Sequence, residues 1–437
     1  MVAAALGSLN ATPTPDNIQL ISRPFPSYDV AIIGGGAAGL ATAIFTRRLN
    51  PKRSVAVLDG AKKLGAKILV SGGGRCNVTN AVVAERDFWG GGRSFVRNVL
   101  RAFGVPETVA FFREIGVPVH EEYEGKLFPD SNRARDVLDA LVKEASRVGA
   151  TILTDYRVDG VIVEGDAFAL VSAHGPISAT RLVLATGGRS LPKSGSDGTG
   201  YDIARTLGHT IVSTTPALAP LLLDNDVLHR ELQGVSHDAE LTVWIDDRVS
   251  IRLTGSLLWT HFGISGPVAL NASRHWARAK FENKQVRLTL NFCPASSFEA
   301  LDARLVDLAA SRPRASVVTL VSTLLPTAVA SALMSQIGID PETGASHLTR
   351  PDRKRLIHGL MEWNLPIADT RGYNYAEATA GGIDLAEIDP ATMASRACPG
   401  LYLVGEVLDV DGRIGGFNFQ WAWSTAYVAG RALAERP

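Results

Sequence analysis

Cysteine is scarce in this chain: there are three in 437 residues, Cys76, Cys293 and Cys398, with no C-x-x-C among them. Such spacing excludes a disulfide framework and a dithiol redox centre, and it points to a reducing, cytoplasmic compartment. Net charge is absent as well. Lys+Arg 44 balance Asp+Glu 44, so no global basic field draws nucleic acid or an anionic membrane, and neither is expected as a partner. Long apolar runs are missing too: the most apolar stretch, 317–339, is interrupted by Pro326, Gln336 and scattered Ser and Thr. It falls short of the roughly 20 uninterrupted residues of a membrane span and is expected as buried helix. His, Cys, Asp and Glu show no metal-ligand spacing, and no internal repeat is visible. Residues 1–27 hold an alanine-rich start and Pro13, Pro15, Pro24 and Pro26. They have neither the basic region nor the long apolar region of a signal peptide and are expected as a flexible tail.

What the chain does have is 46% hydrophobic residues, enough for a large core in two or three domains. It also has a glycine motif in a telling context. The apolar run Val30, Ala31, Ile32, Ile33 leads straight into Gly34-Gly35-Gly36-Ala37-Ala38-Gly39, a G-x-G-x-x-G frame, and Asp59 stands 20 residues beyond Gly39. Gly34 permits the tight turn, Gly36 lets a pyrophosphate approach amides at a helix N-terminus, and Gly39 lets helix and strand pack closely. Asp59 would accept hydrogen bonds from a ribose. A strand before, a helix after and an acid at this distance make a dinucleotide site the expected reading, against a plain glycine turn in an α/β protein.

From residue 28 to about 200, short apolar strands alternate with longer helical stretches, the pattern of a doubly wound sheet. One helix is expected over 93–115 and another over 133–148; strands are expected at 54–58, 151–154, 158–164, 167–173 and 181–185. After Gly208 the texture changes to alternating segments such as Glu240-Leu241-Thr242-Val243-Trp244-Ile245, typical of half-buried antiparallel strands. Residues 266–279 and 297–361 then read as helix, broken by Pro313, Pro326, Pro341 and Pro351. The strand-then-glycine pattern returns only at Gly400-Leu401-Tyr402-Leu403-Val404-Gly405. A discontinuous domain follows, its two parts at either end of the chain and an insertion between.

Three more glycine clusters belong to that domain. Ser71-Gly72-Gly73-Gly74-Arg75-Cys76-Asn77 exposes backbone amides, with Lys67 and Arg75 adding positive charge, and suits a phosphate or an electron-rich ring. Ala185-Thr186-Gly187-Gly188 follows a strand and allows close approach of a cofactor. Last come Gly405-Glu406, Asp409, Arg413 and Gly415-Gly416, then an expected helix over 417–434 that would aim its partial positive charge at whatever precedes it.

Taken together, these blocks resemble the BaiN/RdsA (YhiN-like) family of NAD(P)/FAD-dependent oxidoreductases, within the glutathione-reductase-like flavoproteins. The resemblance is carried by DVAIIGGGAAGLATA at 29–43, KILVSGGGRCNVTN at 67–80, KLFPDSNRARDVLDAL at 126–141, ATGGRSLPKSGSDGTGYDIARTLGH at 185–209, THFGISGPVAL at 260–270 and GLYLVGEVLDVDGRIGGFNFQWAWSTAYVAG at 400–430. It implies an α/β fold in which a glutathione-reductase-like FAD-binding Rossmann domain (28–207 and 376–437) is interrupted by an antiparallel β-barrel-like domain (208–260 and 349–375) and a small helical domain (261–348). It also implies FAD, with Gly34, Gly36, Ala37, Ala38, Gly39 and Asp59 at the adenosine diphosphate end. Lys67, Gly72, Gly73, Gly74, Arg75, Cys76 and Asn77 fall toward the ribityl and ring end, together with Glu406, Gly415, Gly416, Phe417, Asn418 and Phe419. Val158, Ala185, Thr186, Gly187, Gly188, Gly405 and Asp409 complete the expected set.

Flavin enzymes need little acid–base equipment of their own. His261, between the barrel-like and helical stretches, is a candidate proton donor, against the alternative of a hydrogen-bonded hinge histidine. Arg413 could steady reduced flavin or an anionic substrate; Cys76 could be a redox thiol or a small packing residue. Tyr373 and Tyr375 are candidate lining residues, Trp421 and Trp423 read as core, and Ser265 reads as a helix cap before Pro267. The leading expectation is an FAD-dependent oxidoreductase reduced by NAD(P)H, which visits transiently because no second G-x-G-x-x-G follows a strand. It would pass hydride to a small organic acceptor such as an activated C=C bond. An aminoacetone-oxidase-like amine oxidase using O2 is the alternative, and a flavin-dependent RNA-modifying protein or a non-catalytic FAD-binding module are further ones, the former opposed by the zero net charge.

Overall fold

The computed structural model describes residues 26–224 and 228–435. All of the expected tail except its last two residues lies outside them. A seven-stranded sheet organises the first unit. Five of its strands are parallel, in the order Thr151–Leu153, β2 (Val55–Leu58), β1 (Ser27–Ile33), Ile177–Leu184, Leu401–Leu403. The strand Ile177–Leu184 divides its pairing: its first half takes the antiparallel hairpin Gly160–Glu164 and Ala167–Val171, its second half takes Leu401–Leu403. Val30 to Ile33 and Val55 to Leu58 are buried throughout, as expected of parallel strands covered on both faces. The helix α1 (Ala37–Leu49) packs against the C-terminal helix Phe417–Glu435. Their approach is close enough that a Cβ on Gly430 would lie 2.7 Å from that of Phe45.

Register decides where function can sit. Ile33 lies opposite both Leu58 and Leu184, and Leu184 opposite Leu403. The segments that follow these four residues, Gly34–Gly36, Asp59, Ala185–Gly188 and Gly405–Glu406, therefore leave the sheet along one edge. That edge is the carboxyl end, where ligands bind in open α/β sheets.

The second unit is another seven-stranded sheet, wholly antiparallel, in the order Trp363–Leu365, Val286–Asn291, Ser236–Ile245, Arg248–Thr260, Gly263–Ser265, Leu221–Leu223, Ile367–Thr370. Its two outermost strands are separated in sequence by Pro366 alone, so the two edges meet at one continuous segment and the sheet curls into a barrel-like shape. The helices Phe298–Ser311, Val317–Val321, Thr327–Gln336 and Arg350–Met361 pack over it, and Leu301, Leu305, Leu333 and Leu356 share one apolar core with Leu241, Trp259 and Leu288. The chain leaves the first unit through Ile211–Ala217 and returns through Ala378–Ile383, and these two strands pair with each other.

Several local expectations change. Residues 93–115 form two helices, Arg93–Ala102 and Val105–Glu114, because Gly104 starts a new helix whose Glu107 carboxylate accepts from the Gly104 N–H at 2.9 Å. The strand Val286–Asn291, inside the 261–348 segment that the resemblance implies is a helical domain, belongs to the barrel-like sheet, while Arg350–Met361 is helical as the reading of 297–361 expects, although the implied domain bounds put it in the barrel-like part. Pro351 opens that helix rather than breaking one, as its missing N–H costs nothing there. Ser265 ends a strand; Gly266, at φ +86°, occupies the cap position, where a Cβ would lie 2.7 Å from the Ser256 carbonyl oxygen. No helix among the described residues is long and apolar enough to cross a membrane.

Candidate functional site

A cavity of about 960 Å³ runs from the carboxyl edge of the parallel sheet toward the strand pair leading to the second unit. One end is walled by Gly34, Gly36, Ala37, Ala38, Asp59, Val158, Asp197 and Thr199. The glycines divide their duties as the spacing predicts. A Cβ on Gly34 would come within 2.4 Å of the Ala185 carbonyl oxygen, and one on Gly39 within 1.8 Å of the Gly34 carbonyl oxygen, while one on Gly36 would meet no protein atom within 4 Å. Open space thus stands over Gly36 at the N-terminus of α1, which has no side-chain cap and no acid in its first turn. Free amides and a helix dipole there suit an anionic group.

Asp59 has a further role. Its Oδ2 accepts from Gly35 N–H at 2.7 Å and its Oδ1 from Ala61 N–H at 2.8 Å. The carboxylate ties the glycine turn to β2, leaving each oxygen one further lone pair for a ribose hydroxyl.

In the middle, the helix α2 (Ala66–Gly74) is interrupted: Ser71 is extended, and Gly72, Gly73 and Gly74 have φ of +55°, +69° and +85°. The glycine run is therefore partly a helix end. A Cβ on Gly73 would meet nothing within 4 Å, as at Gly36. Asn77 is buried and lines the cavity, yet its Oδ1 has no partner. An orphaned buried acceptor on a cavity wall is costly unless a ligand donor reaches it.

The expected positive charge of this loop is already matched. Lys67 Nζ donates to Glu406 Oε2 at 2.5 Å and to Ser190 Oγ at 2.7 Å, and Glu406 Oε1 also accepts from Ser190 Oγ and Thr379 N–H. Arg75 donates to Glu122 at 2.7 Å and lies over the Phe128 ring.

The far end is bounded by Leu218, Leu270, Tyr375, Glu377, Arg413 and Ile414, with Gly415, Gly416, Asn418 and Phe419 closing from the C-terminal segment. Arg413 pairs with Asp87 at 3.1 Å. Asn418 fixes the preceding turn by bonding both Gly412 N–H and Gly412 C=O.

The chain matches the HI0933-like protein Rossmann domain over residues 28–432. It belongs to that family. The protein is 35% identical over 408 residues to the 3-dehydro-bile acid delta(4,6)-reductase of Clostridium scindens, covering 93% of this chain and 99% of the relative. It is 33% identical over 406 residues to the ribosomal RNA dihydrouridine synthase of Escherichia coli, covering 93% and 98%. The BaiN/RdsA resemblance of the glycine blocks is thereby shown, and with it membership of a flavoprotein oxidoreductase family. A solved quinol-fumarate reductase with menaquinol shares the fold, at 15% identity and a TM-score of 0.50 over 94% of this chain and 71% of that one.

The cavity residues of this HI0933-like protein fit FAD: open space over two glycines, an uncapped helix N-terminus and an orphaned acceptor follow one another along a single channel. Not every expected residue is on it. Gly39, Gly188, Gly405 and Phe417 lie behind the wall as packing residues, and Gly74 is exposed off the cavity. Cys76 is fully buried off the cavity, and burial pushes its thiol up to about 12, the environment of a packing residue and not of a reactive thiolate. Asp409 is also off the wall; burial, then the neighbouring Asp411 carboxylate, raise it to about 6. His261 is exposed in the turn after Arg248–Thr260 and is not among the lining residues. Trp421 and Trp423 are core, donating to Gly405 C=O and Val78 C=O. Tyr375 lines the cavity, whereas Tyr373 bonds Thr214. Two lining acids escaped the sequence reading, Asp197 and Glu377. Nothing local marks either one; only the strand that returns from the insertion brings Glu377 here.

Proposed function

We propose that this protein is an FAD-dependent reductase that draws electrons from NAD(P)H and saturates a C=C bond conjugated to a carbonyl in a small organic acceptor, in the cytoplasm. The observation that carries the FAD assignment is the run of open glycine positions, free helix amides and the unpartnered Asn77 Oδ1 along one cavity. The acceptor class is supported by what the two relatives' names have in common: a 3-oxo-delta(4,6) steroid and a uracil ring both present a C=C conjugated to C=O.

In this reading the N-terminus of α1 holds the pyrophosphate, Asp59 the ribose, and Asn77 with Gly415, Gly416 and Asn418 the ribityl and ring end. Bound FAD would supply transfer of an electron pair between the nicotinamide and the acceptor. The Lys67–Glu406 pair, anchored by Ser190 and Thr379, keeps the middle of the channel neutral and fixed. Leu218, Leu270 and Ile414 give the far end an apolar surface for the acceptor.

The test is the visible spectrum of purified protein under anaerobic conditions. NADH or NADPH should bleach the flavin band, and an enone should restore it. A protein that cannot be loaded with FAD refutes the assignment, and bleaching by an amine but by neither nicotinamide replaces it with an amine oxidase.

A further inference from the structure

Four acids line the cavity, Asp59, Asp197, Glu377 and Glu406. Three are occupied. Asp59 accepts two backbone N–H groups, Asp197 accepts from Thr199 and from Arg157, and Glu406 accepts from Lys67, Ser190 and Thr379. Among the described residues, no hydrogen bond or ion pair reaches the carboxyl group of Glu377.

Its position follows from the backbone. Glu377 directly precedes the strand Ala378–Ile383, its N–H donates to Leu218 C=O, and its neighbours Ala376 and Ala378 are fully buried. Glu377 itself sits at the bend between the 373–375 turn and that strand, is exposed where both neighbours are buried, and lines the cavity wall. Its own carbonyl accepts from Ser190 Oγ, the hydroxyl that also serves Lys67 and Glu406. The carboxyl thus stands beside the charged network without joining it.

The charged and titratable groups nearby are Tyr373 and Tyr375 on its own segment, Arg371 over the Tyr375 ring, Lys67 and Glu406 through Ser190, and Arg413 across the cavity. None bonds it. The Glu377 side chain is exposed within the open cavity, yet it stands deep enough in the fold that desolvation raises its carboxyl above the ordinary value of 4.5, with no cation to oppose the rise. Among the described residues no histidine lines the cavity, and Cys76 is off it.

We propose that Glu377 is the catalytic general acid of the reduction, donating its proton to the α-carbon of the conjugated C=C bond. This rests on the reading given under Proposed function. In the step the π bond breaks, the β-carbon receives a hydride from the reduced flavin, which is oxidised, and the α-carbon receives the carboxyl proton. Both new bonds are C–H bonds, and the carboxylate left behind recovers its proton from water. The acid sits at the end walled by Leu218, Leu270 and Ile414, where the acceptor would lie, rather than at the Asp59 end.

The experiment uses FAD-loaded wild-type, Glu377→Gln and Glu377→Asp protein with 2-cyclohexen-1-one as the acceptor. Infrared difference spectra of wild type against Glu377→Gln across pH should show the C=O stretch of a protonated carboxylic acid persisting above the pH at which an ordinary glutamate ionises, a readout independent of turnover. In rapid mixing of reduced protein with cyclohexenone, Glu377→Gln should slow flavin reoxidation on the order of 100-fold or more, the usual weight of a general acid, and Glu377→Asp should recover part of it. The wild-type rate should fall as pH rises through the titration of Glu377, and the Gln variant should lose that dependence. Reoxidation within about threefold of wild type in Glu377→Gln, or no such persisting acid band, overturns the role of Glu377 alone. A wild type that holds FAD yet leaves cyclohexenone untouched overturns the reductase reading and this role together.

Discussion

Replacing Gly36 by Val separates cofactor binding from folding. Gly36 has φ −84° and ψ −165°, a region open to any residue, and a Cβ there would touch no protein atom within 4 Å. The apoprotein should therefore keep its stability to within about 0.5 kcal/mol. The new side chain fills the space over the N-terminus of α1 and blocks the pyrophosphate from at least two amides. A hydrogen bond to a charged group contributes about 1.5–3 kcal/mol, so losing two removes roughly 3–6 kcal/mol. Affinity for FAD should drop at least 100-fold. The control is Gly34→Ala, where φ is +110° and the Cβ would lie 2.4 Å from the Ala185 carbonyl oxygen. That variant should lose stability itself, and FAD with it. The assays are flavin absorbance per mole of purified protein, titration of stripped protein with FAD, and urea unfolding of the apo form. Stoichiometric FAD in Gly36→Val, or an apoprotein that unfolds as early as Gly34→Ala, would refute the placement of the pyrophosphate.

Other outcomes follow from buried charge. Arg274 donates to both oxygens of the fully buried Asp411 at 2.6 and 2.9 Å, joining the helix Pro267–Phe281 to the strand Val410–Gly412. Arg274→Ala strands that carboxylate and should cost about 3–5 kcal/mol in urea unfolding, whereas Arg274→Met combined with Asp411→Leu should recover most of the loss. For Asp409, raised from 3.8 to about 6, the folded protein holds the proton more tightly than the unfolded chain. Stability should fall as pH climbs between those two values, and Asp409→Asn should remove the slope and add up to roughly 3 kcal/mol at pH 7, as read by denaturant midpoints across pH. Cys76, buried and held as a thiol, should resist iodoacetamide in the native protein and react only on unfolding, which mass spectrometry of the labelled peptide would show.

The sequence alone determined the strand, glycine turn and helix at the carboxyl edge of the parallel sheet. A strand, glycine turn, small-residue helix and acid are contiguous in the chain, so Gly34, Gly36, Gly39 and Asp59 are constrained by neighbours only a few residues away, and local geometry suffices to read them. It also determined the family, because the SGGGRCN and GGFNFQWAWS blocks are themselves local. The tertiary structure decided which residues face the cavity and which stand behind it. Cys76 and Asn77 are adjacent, yet one is buried in the wall with φ +64° and the other presents an unpartnered oxygen to the channel. Lys67 looked like a phosphate ligand until its partner, more than three hundred residues away, proved to be Glu406. His261 looked chemical and is exposed in a turn. Glu377 looked like nothing and stands in the cavity with no partner for its carboxyl. Whether a charged side chain is solvated, paired or isolated depends on long-range register, here the pairing of Ala378–Ile383 with Ile211–Ala217, and no local pattern of residues carries that information.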